Sequence, residues 1–312
     1  MHEELPVLLV IFNRPEKTKI LIEALRQIRP KYLFVTADGP RLDFPEDNEK
    51  CHQAREIINA IDWECELKTR FLDNNLGCGR AVSSGISWFF EHVDQGIILE
   101  DDCIPHPHFF PFCEELLKRY ADDKRIMRIS GFSPYPARTY QYDYHFSHRF
   151  FCSGWATWRR AWKHFSYDLD SIDETVFLEV LRHYYPFSFT RRTWIRNFQL
   201  VKAGILTTWA FRWDVACFFQ NGLGIVPEKN FITNIGFDEE GTHTKCDNSI
   251  FANLSGHPIT FPLRHPPFVY PDKEPERSLE RIIHRSLPLK SRCVQQLRHF
   301  SGIIRDYFYT LP

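Results

Sequence analysis

The chain has 312 residues, with 39 Lys and Arg against 40 Asp and Glu, and aromatic residues make up 15% of it. A chain of this length can bury a large apolar core, so disorder is not expected. The balance of charge shows no basic excess of the kind that points to nucleic acid, and no nucleic-acid partner is expected. Function must therefore come from local sites.

Cysteine usage and apolar segments predict the compartment. The nine cysteines are odd in number and form no C-x-x-C pair, which argues against a disulfide framework or a structural zinc site and favours a reducing environment. The first apolar segment starts at Pro6 and leaves no room for a signal peptide before it. No run of about 18 apolar residues predicts a membrane-spanning helix. We expect a cytoplasmic protein.

Over residues 1–130, short apolar segments alternate with segments of helical period. The first helix, EKTKILIEALRQI, carries Ile20, Ala24 and Ile28 at four-residue spacing. This order predicts an α/β fold whose mostly parallel sheet is covered by helices on both faces. The predicted strands are PVLLVIF, KYLFVTADGP, ECELKTRFL, GIILE and IMRISGF, and the later helices are CHQAREIINAI, AVSSGISWFFEHV and PHFFPFCEELLKRYA.

After this α/β half, residues 131–260 are aromatic, basic and irregular, with helical segments near 173–184 and 191–203. We interpret them as a second half of the same domain, packed against the ends of the strands. Residues 261–312 form a Pro-rich strap followed by a basic, amphipathic tail. The tail is compatible with peripheral contact with an anionic membrane; docking on the protein's own body is the favoured alternative.

Polar residues follow three of the predicted strands. Asn13 and Arg14 follow the first, Asp38 the second, and Glu100, Asp101 and Asp102 the fourth. In parallel sheets the carboxyl ends of the strands share one edge, where ligands bind. The sequence therefore predicts one site that contains all of these residues.

The carboxylates in GIILEDDCIPHPHFF repel one another, so they need a balancing charge. Glu100, Asp101 and Asp102 could hold Mn²⁺ or Mg²⁺, which take oxygen ligands and share them with phosphates. A solvated surface turn is the alternative. His106 and His108 follow closely, but they lack a convincing third ligand and are not favoured as metal ligands.

Other polar residues along the predicted edge suit a phosphorylated ligand. Arg14 stands at the entrance to a helix, where a guanidinium suits a phosphate or makes a surface ion pair. Asp38 could accept hydrogen bonds from a base or ribose, or begin the turn before Gly39. In NNLGCGRAVSSG, Arg80 could lie near phosphates, although the glycines match neither a P-loop nor a dinucleotide fingerprint and favour a plain turn.

Asp214 is a lone acid within WAFRWDVACFF. Apolar surroundings raise the pKa of a carboxylate and suit it as a general base; a helix N-cap is the alternative. Trp155 and Trp213 could stack on a sugar ring.

Taken together, these motifs resemble those of GT-A-type nucleotide-sugar glycosyltransferases, and more narrowly the N-acetylglucosaminyltransferase I group and related bacterial proteins. The resemblance covers residues 6–245 and implies a GT-A (nucleotide-diphospho-sugar transferase) fold with an inverting, metal-dependent transfer. A UDP-sugar donor is implied, with UDP-N-acetylglucosamine favoured. The matching segments, in order, are PVLLVIFNRPEKT, LEDDCIPHPHFFPF, FFCSGWATWRRAW, FRWDVACF and GIVPEKNFITNIGFDEEGTHT.

The resemblance also implies roles for single residues. Asp102 would bind the metal, and Asp214 would be the catalytic base. His243 in GTHT would belong to a segment that closes around the donor. The remaining donor contacts would come from Glu100 and Asp101 at the sugar and ribose, Arg14, and Asp38 at the uracil.

The acceptor would be a hydroxyl of a glycan, lipid-linked or protein-linked, in surface polysaccharide or glycoprotein synthesis. Two other functions stay open from the sequence. A sugar-phosphate nucleotidyltransferase uses a similar sheet and metal, although its usual glycine-rich loop is missing from FNRPEKT. A non-catalytic relative could bind glycans or act as a scaffold.

Overall fold

The computed structural model describes residues 4–135, 141–185, 188–237 and 251–286. The strands are β1 (Val7–Ile11), β2 (Tyr32–Ala37), β3 (Glu66–Phe71), β4 (Gln95–Glu100), β5 (Cys103–Pro105), β6 (Ile126–Ser130), β7 (Tyr144–Ser147), β8 (Trp155–Trp158), β9 (Leu223–Pro227) and β10 (Ile232–Asn234). The helices are α1 (Pro15–Arg26), α2 (Glu46–Asn59), α3 (Gly77–His92), α4 (Phe109–Arg119), α5 (Arg159–Trp162), α6 (Glu174–Tyr184), α7 (Ser188–Lys202), α8 (Trp209–Phe219) and α9 (Lys273–Ser286).

Eight of these strands form one sheet, in the order β3-β2-β1-β4-β8-β6-β9-β7. Strands β1 to β4 run parallel, as do β6 and β9. Strand β8 lies antiparallel between β4 and β6, and β7 pairs antiparallel with β9. The predicted α/β class with a mostly parallel sheet is confirmed.

Alternate residues of the central strands face two separate apolar cores. In β1, Leu9 belongs to the core that contains residues of α1, α2 and α4, whereas Leu8 belongs to the core that contains residues of α3 and α5 to α8. Strands covered on both sides are typical of parallel sheets. Helices therefore lie on both faces, as the sequence predicts.

The core-facing stripe of α1 differs from the predicted one. Ile20 is 48% exposed, while Thr18, Leu21, Ile22 and Leu25 are buried. A strict spacing of four residues drifts around a helix of 3.6 residues per turn, so the stripe follows the mixed spacing of three and four. The helix predicted from this spacing is present, but Ile20 is not one of its core residues.

The segment 251–272 lies against the body of the protein. Ile259 and Leu263 are buried, and Arg264 pairs with Asp143 at 2.6 Å. In α9, Leu279 is buried, and Ser147 donates a hydrogen bond to Glu276. The tail from residue 287 lies outside the described residues, and membrane contact stays a prediction. Among the residues described, no helix is long and apolar enough to span a bilayer.

Candidate active site

The carboxyl ends of β1 and β4 bring Arg14 and the acidic triplet together. The two strands are neighbours in parallel register, with Val10 opposite Glu100, and Asp101 N donates to Val10 O at 3.1 Å. Arg14 Nη2 lies 2.6 Å from Asp101 Oδ1, and its Nη1 lies 3.0 Å from Asp102 Oδ2. The shared edge predicted from strand order thus places these residues in direct contact.

Burial and neighbouring charges together shift the pKa values of this cluster. Burial alone would lower the pKa of Arg14, but the charges of Asp101 and Asp102 raise it overall. Burial, with repulsion from Asp102 and Asp101, raises the pKa of Glu100 to about 8; burial likewise raises the pKa of Asp101 to about 6, although Arg14 opposes it. Lys17 also opposes the shift at Asp101, so two cations, Arg14 and Lys17, face three carboxyl groups.

The charge imbalance suits a divalent cation shared with a ligand. Asp102 keeps 19% of its side chain exposed, against 2% for Asp101. Within the described ranges, no group of three or more His, Cys, Asp or Glu residues is arranged as a metal site. An ion held at Asp102 would therefore need water and phosphate oxygens as further ligands, which Mg²⁺ accepts readily.

A segment from the second half of the chain covers Asp102. Strand β10 pairs antiparallel with β5, directly after the triplet, and Ile235 N donates to Asp102 O at 2.9 Å. Gly236 packs so closely that an added methyl group would overlap Asp102 Oδ2. Sequence reasoning missed the role of Gly236, although it lies in a segment quoted for the resemblance. His243 lies outside the described residues.

Asp38 is engaged by the loop that leads into α3. Its Oδ1 accepts from Gly39 N at 2.9 Å and Leu76 N at 2.8 Å, and its Oδ2 accepts from Asn75 Nδ2 at 3.0 Å. Burial raises its pKa despite these donors. The carboxylate thus holds the turn, and its proposed contact with a base stays a prediction.

Replacing Asp38 with Ala is expected to destabilise the fold by about 2 kcal/mol, because buried backbone donors lose their acceptor. Urea denaturation of the wild type and the variant measures the difference. Asp73→Ala removes an exposed acid from the same loop and should change the free energy of unfolding little. Equal stability of Asp38→Ala and the wild type would contradict this role.

Asn13 and Arg80 contact residues other than those of the acidic triplet. Asn13 Nδ2 donates to Asp47 Oδ1 at 2.6 Å, and the buried Asp47 also pairs with Arg41 at 2.6 Å. Arg80 is exposed, and its guanidinium lies 4.2 Å from the ring centre of Tyr167. Their roles in donor binding remain predictions.

Asp214 lies in the interior of α8, whose N-cap is Thr208, so the N-cap alternative was wrong. The side chain is buried and pairs with Arg128 of β6. Burial raises the pKa of Asp214 to about 6, although Arg128 opposes the shift. The carboxylate is therefore held in place and is mostly ionised at neutral pH.

The pKa of the Cys152 thiol is influenced by both Glu100 and Asp214. Burial raises the pKa of this thiol, and the charges of Glu100 and Asp214 raise it further. Glu100 and Asp214 therefore both act electrostatically on this one thiol. The sequence offered no signal for Cys152 or for the pairing of Arg128 with Asp214.

Two aromatic residues expected at a sugar belong to the core. Trp155 and Trp213 are 0% and 1% exposed; they pack on each other and on Trp162, and Trp155 also stacks on Trp209. Strand β8 is covered on both faces, so none of its residues faces solvent. The stacking role predicted for Trp155 and Trp213 was wrong.

The two histidines after the triplet have structural partners. His106 Nδ1 accepts from His108 N at 3.1 Å, and His108 Nδ1 accepts from Ile259 N at 3.0 Å. Through Ile259, His108 helps to fix the 251–272 segment on the body. Neither histidine belongs to a metal-ligand group among the residues described.

Comparison with known proteins adds little to this geometry. No family model matches the chain, and no curated protein matches it. One solved structure, described as UDP-glucose pyrophosphorylase complexed with UDP-glucose, is similar over 47% of this chain, with 9% sequence identity and a TM-score of 0.28. The match spans 64% of that protein's chain.

Proposed function

We propose that the protein is a metal-dependent glycosyltransferase. It would transfer a sugar from a nucleotide diphosphate donor to a hydroxyl of a glycan, lipid-linked or protein-linked acceptor. The observation that carries the proposal is the contact of Arg14 with Asp101 and Asp102 at the carboxyl ends of adjacent parallel strands. Open α/β sheets bind ligands at this edge. UDP-N-acetylglucosamine is the first donor to test, because the motif order resembles enzymes that use it.

In the proposed reaction the acceptor oxygen bonds to the anomeric carbon while the bond from that carbon to the diphosphate breaks. Asp214 takes the proton of the acceptor hydroxyl, and the nucleoside diphosphate leaves. Attack from the face opposite the leaving group inverts the anomeric centre. Arg128 holds the carboxylate of Asp214 by their ion pair.

The acidic triplet would hold the metal ion that stabilises the leaving group. Mn²⁺ or Mg²⁺, when bound at Asp102, would stabilise the negative charge that grows on the departing diphosphate. Arg14 fixes the carboxylates of Asp101 and Asp102, which keeps Asp102 in position next to Gly236.

The proposed base predicts the acid limb of the pH profile. Asp214 accepts a proton only when ionised, and burial places its pKa at about 6. The kcat/KM for sugar transfer should therefore rise as the pH increases through about 6 and level off above it. A profile that stays flat from pH 5 to pH 8, as checked by initial rates, would contradict this assignment.

Thermal melting with a panel of nucleotide sugars, with and without Mn²⁺, tests the proposal most directly. A bound donor raises the melting temperature by mass action, and we expect the rise to need Mn²⁺. Release of a nucleoside diphosphate in the presence of an acceptor would support glycosyl transfer. Release of pyrophosphate from a nucleoside triphosphate and a sugar phosphate would instead identify a nucleotidyltransferase. A panel without any Mn²⁺-dependent shift would favour the non-catalytic alternative.

A further inference from the structure

A groove of about 700 Å³ runs along α3. Its walls are α3, the edge strand β3 and the segment between α5 and α6. One end begins at Leu76, whose backbone N–H is bound by Asp38. The volume falls in the range of about 300–1,000 Å³ that is usual for small-molecule sites.

Two cations face this groove without a carboxylate partner in the described part of the chain. Arg80 lies over Tyr167, and Arg70 Nη1 reaches Thr36 Oγ1 at 3.4 Å. Glu91 lines the same groove and is exposed. The groove therefore has a positive balance, and a guanidinium binds a carboxylate well because it can donate two parallel hydrogen bonds.

A row of hydroxyl groups on α3 also lines the groove. Ser83 Oγ donates to Gly79 O at 2.8 Å, and Ser84 Oγ donates to Ala81 O at 3.1 Å. Their hydrogens are used within the helix, so their lone pairs stay available as acceptors. Ser87 Oγ accepts from an indole N–H at 3.0 Å and keeps its own hydrogen for donation. This mixture suits a ligand that both donates and accepts through hydroxyls.

Aromatic side chains add apolar surface next to the hydroxyls. Trp88 and Phe165 are half-buried in the groove wall. One face of Phe165 is stacked on Trp162 at 4.3 Å between ring centres, which fixes the ring. Rigid, amphipathic contact area of this kind suits the apolar face of a sugar ring.

We infer that the α3 groove binds an acidic oligosaccharide, with a uronic-acid carboxylate on Arg80 and sugar hydroxyls on Ser83, Ser84 and Ser87. This carbohydrate site does not use the acidic triplet, and it gives Arg80 a sugar carboxylate as its ligand in place of the phosphate predicted from the sequence. It goes beyond the proposed function, since binding there requires neither nucleotide nor metal. Leu76, which lines the groove, donates its backbone N–H to Asp38, one of the predicted donor residues.

Calorimetric titration with defined probes tests the inference. Hyaluronan tetrasaccharide supplies carboxylates on a sugar chain, chitotetraose is a neutral chain of the same length, and tetraglutamate is acidic without sugar. We expect hyaluronan tetrasaccharide to bind without Mn²⁺ or nucleotide, and the other two probes to bind more weakly. Arg80→Ala should weaken binding by about tenfold, because a charge-assisted hydrogen bond is lost.

Arg182→Ala is the matched control, since Arg182 is an exposed arginine on α6, outside the groove. Its affinity for hyaluronan tetrasaccharide should equal that of the wild type. Three results would overturn the inference: no binding at about 10 mM probe, equal binding by Arg80→Ala and the wild type, or tetraglutamate bound as tightly as the sugar. Because the titration omits donor and metal, its failure would leave Mn²⁺-dependent donor binding as a separate question.

Discussion

Asp102→Asn is expected to abolish the Mn²⁺-dependent part of donor binding. The substitution keeps the size of the side chain. It also keeps an oxygen that can accept a hydrogen bond from Arg14 Nη1, which lies 3.0 Å from Asp102 Oδ2 in the wild type. It removes the negative charge that a hard cation requires. Titration of UDP-N-acetylglucosamine with and without Mn²⁺ should show a large enhancement in the wild type and little or none in the variant.

Three further variants distinguish loss of a metal ligand from loss of any other polar side chain near the same edge. Asp73→Asn removes an exposed carboxylate from the loop after β3 and should keep the Mn²⁺ effect. Gly236→Ala should lose it, because the added methyl group overlaps Asp102 Oδ2 and displaces that carboxylate. His106→Ala should keep the Mn²⁺ effect on donor binding. Unchanged Mn²⁺ dependence in Asp102→Asn would place the metal site elsewhere.

The α/β sheet could be predicted because its signals are local. Apolar strands separated by helical segments specify parallel strands, and parallel strands place Arg14 and Asp102 at one edge. The direct contact of these residues follows from that geometry. The same local reasoning found helices α6 and α7 close to their observed bounds, Glu174–Tyr184 and Ser188–Lys202.

Long-range pairings could not be predicted in this way. Arg128 and Asp214 are 86 positions apart, and no periodic pattern in either segment selects the other as its partner. The pairing of β10 with β5, which brings Gly236 to Asp102, joins segments more than a hundred residues apart. Such contacts depend on tertiary packing.

Aromatic residues were the residue class that said least about the position of the candidate site. Trp155 and Trp213 were considered as residues that could stack on a sugar, yet both are core residues. A ring buried in a core and a ring that lines a groove have the same local sequence signal. Trp88 is half-buried in the α3 groove, whereas Phe89 and Phe90, the next two residues of the same helix, are buried.

Asp214→Asn is expected to lower kcat by about 10²- to 10⁴-fold, the usual contribution of a general base. The affinity for the donor should stay close to that of the wild type, because Asp214 acts on the acceptor hydroxyl. Rates of nucleoside diphosphate release, together with donor titration, measure the two effects separately. Sugar transfer at the wild-type rate would show that another group is the base.

A structural effect of the same substitution must be distinguished from a catalytic one. Asp214→Asn leaves the buried Arg128 without its charged partner, which costs several kcal/mol when a buried pair is broken. Arg128→Met breaks the same pair but keeps the carboxylate, so it controls for lost stability.

The pH profile separates the two variants further. Arg128 opposes the upward shift in the pKa of Asp214; without Arg128, that pKa should rise further. Arg128→Met should therefore keep activity at high pH and shift the acid limb of kcat/KM upwards, whereas Asp214→Asn should stay about 10²- to 10⁴-fold below the wild type at every pH. Equal losses in both variants, without a shift of the limb, would mean that Asp214 only stabilises the fold.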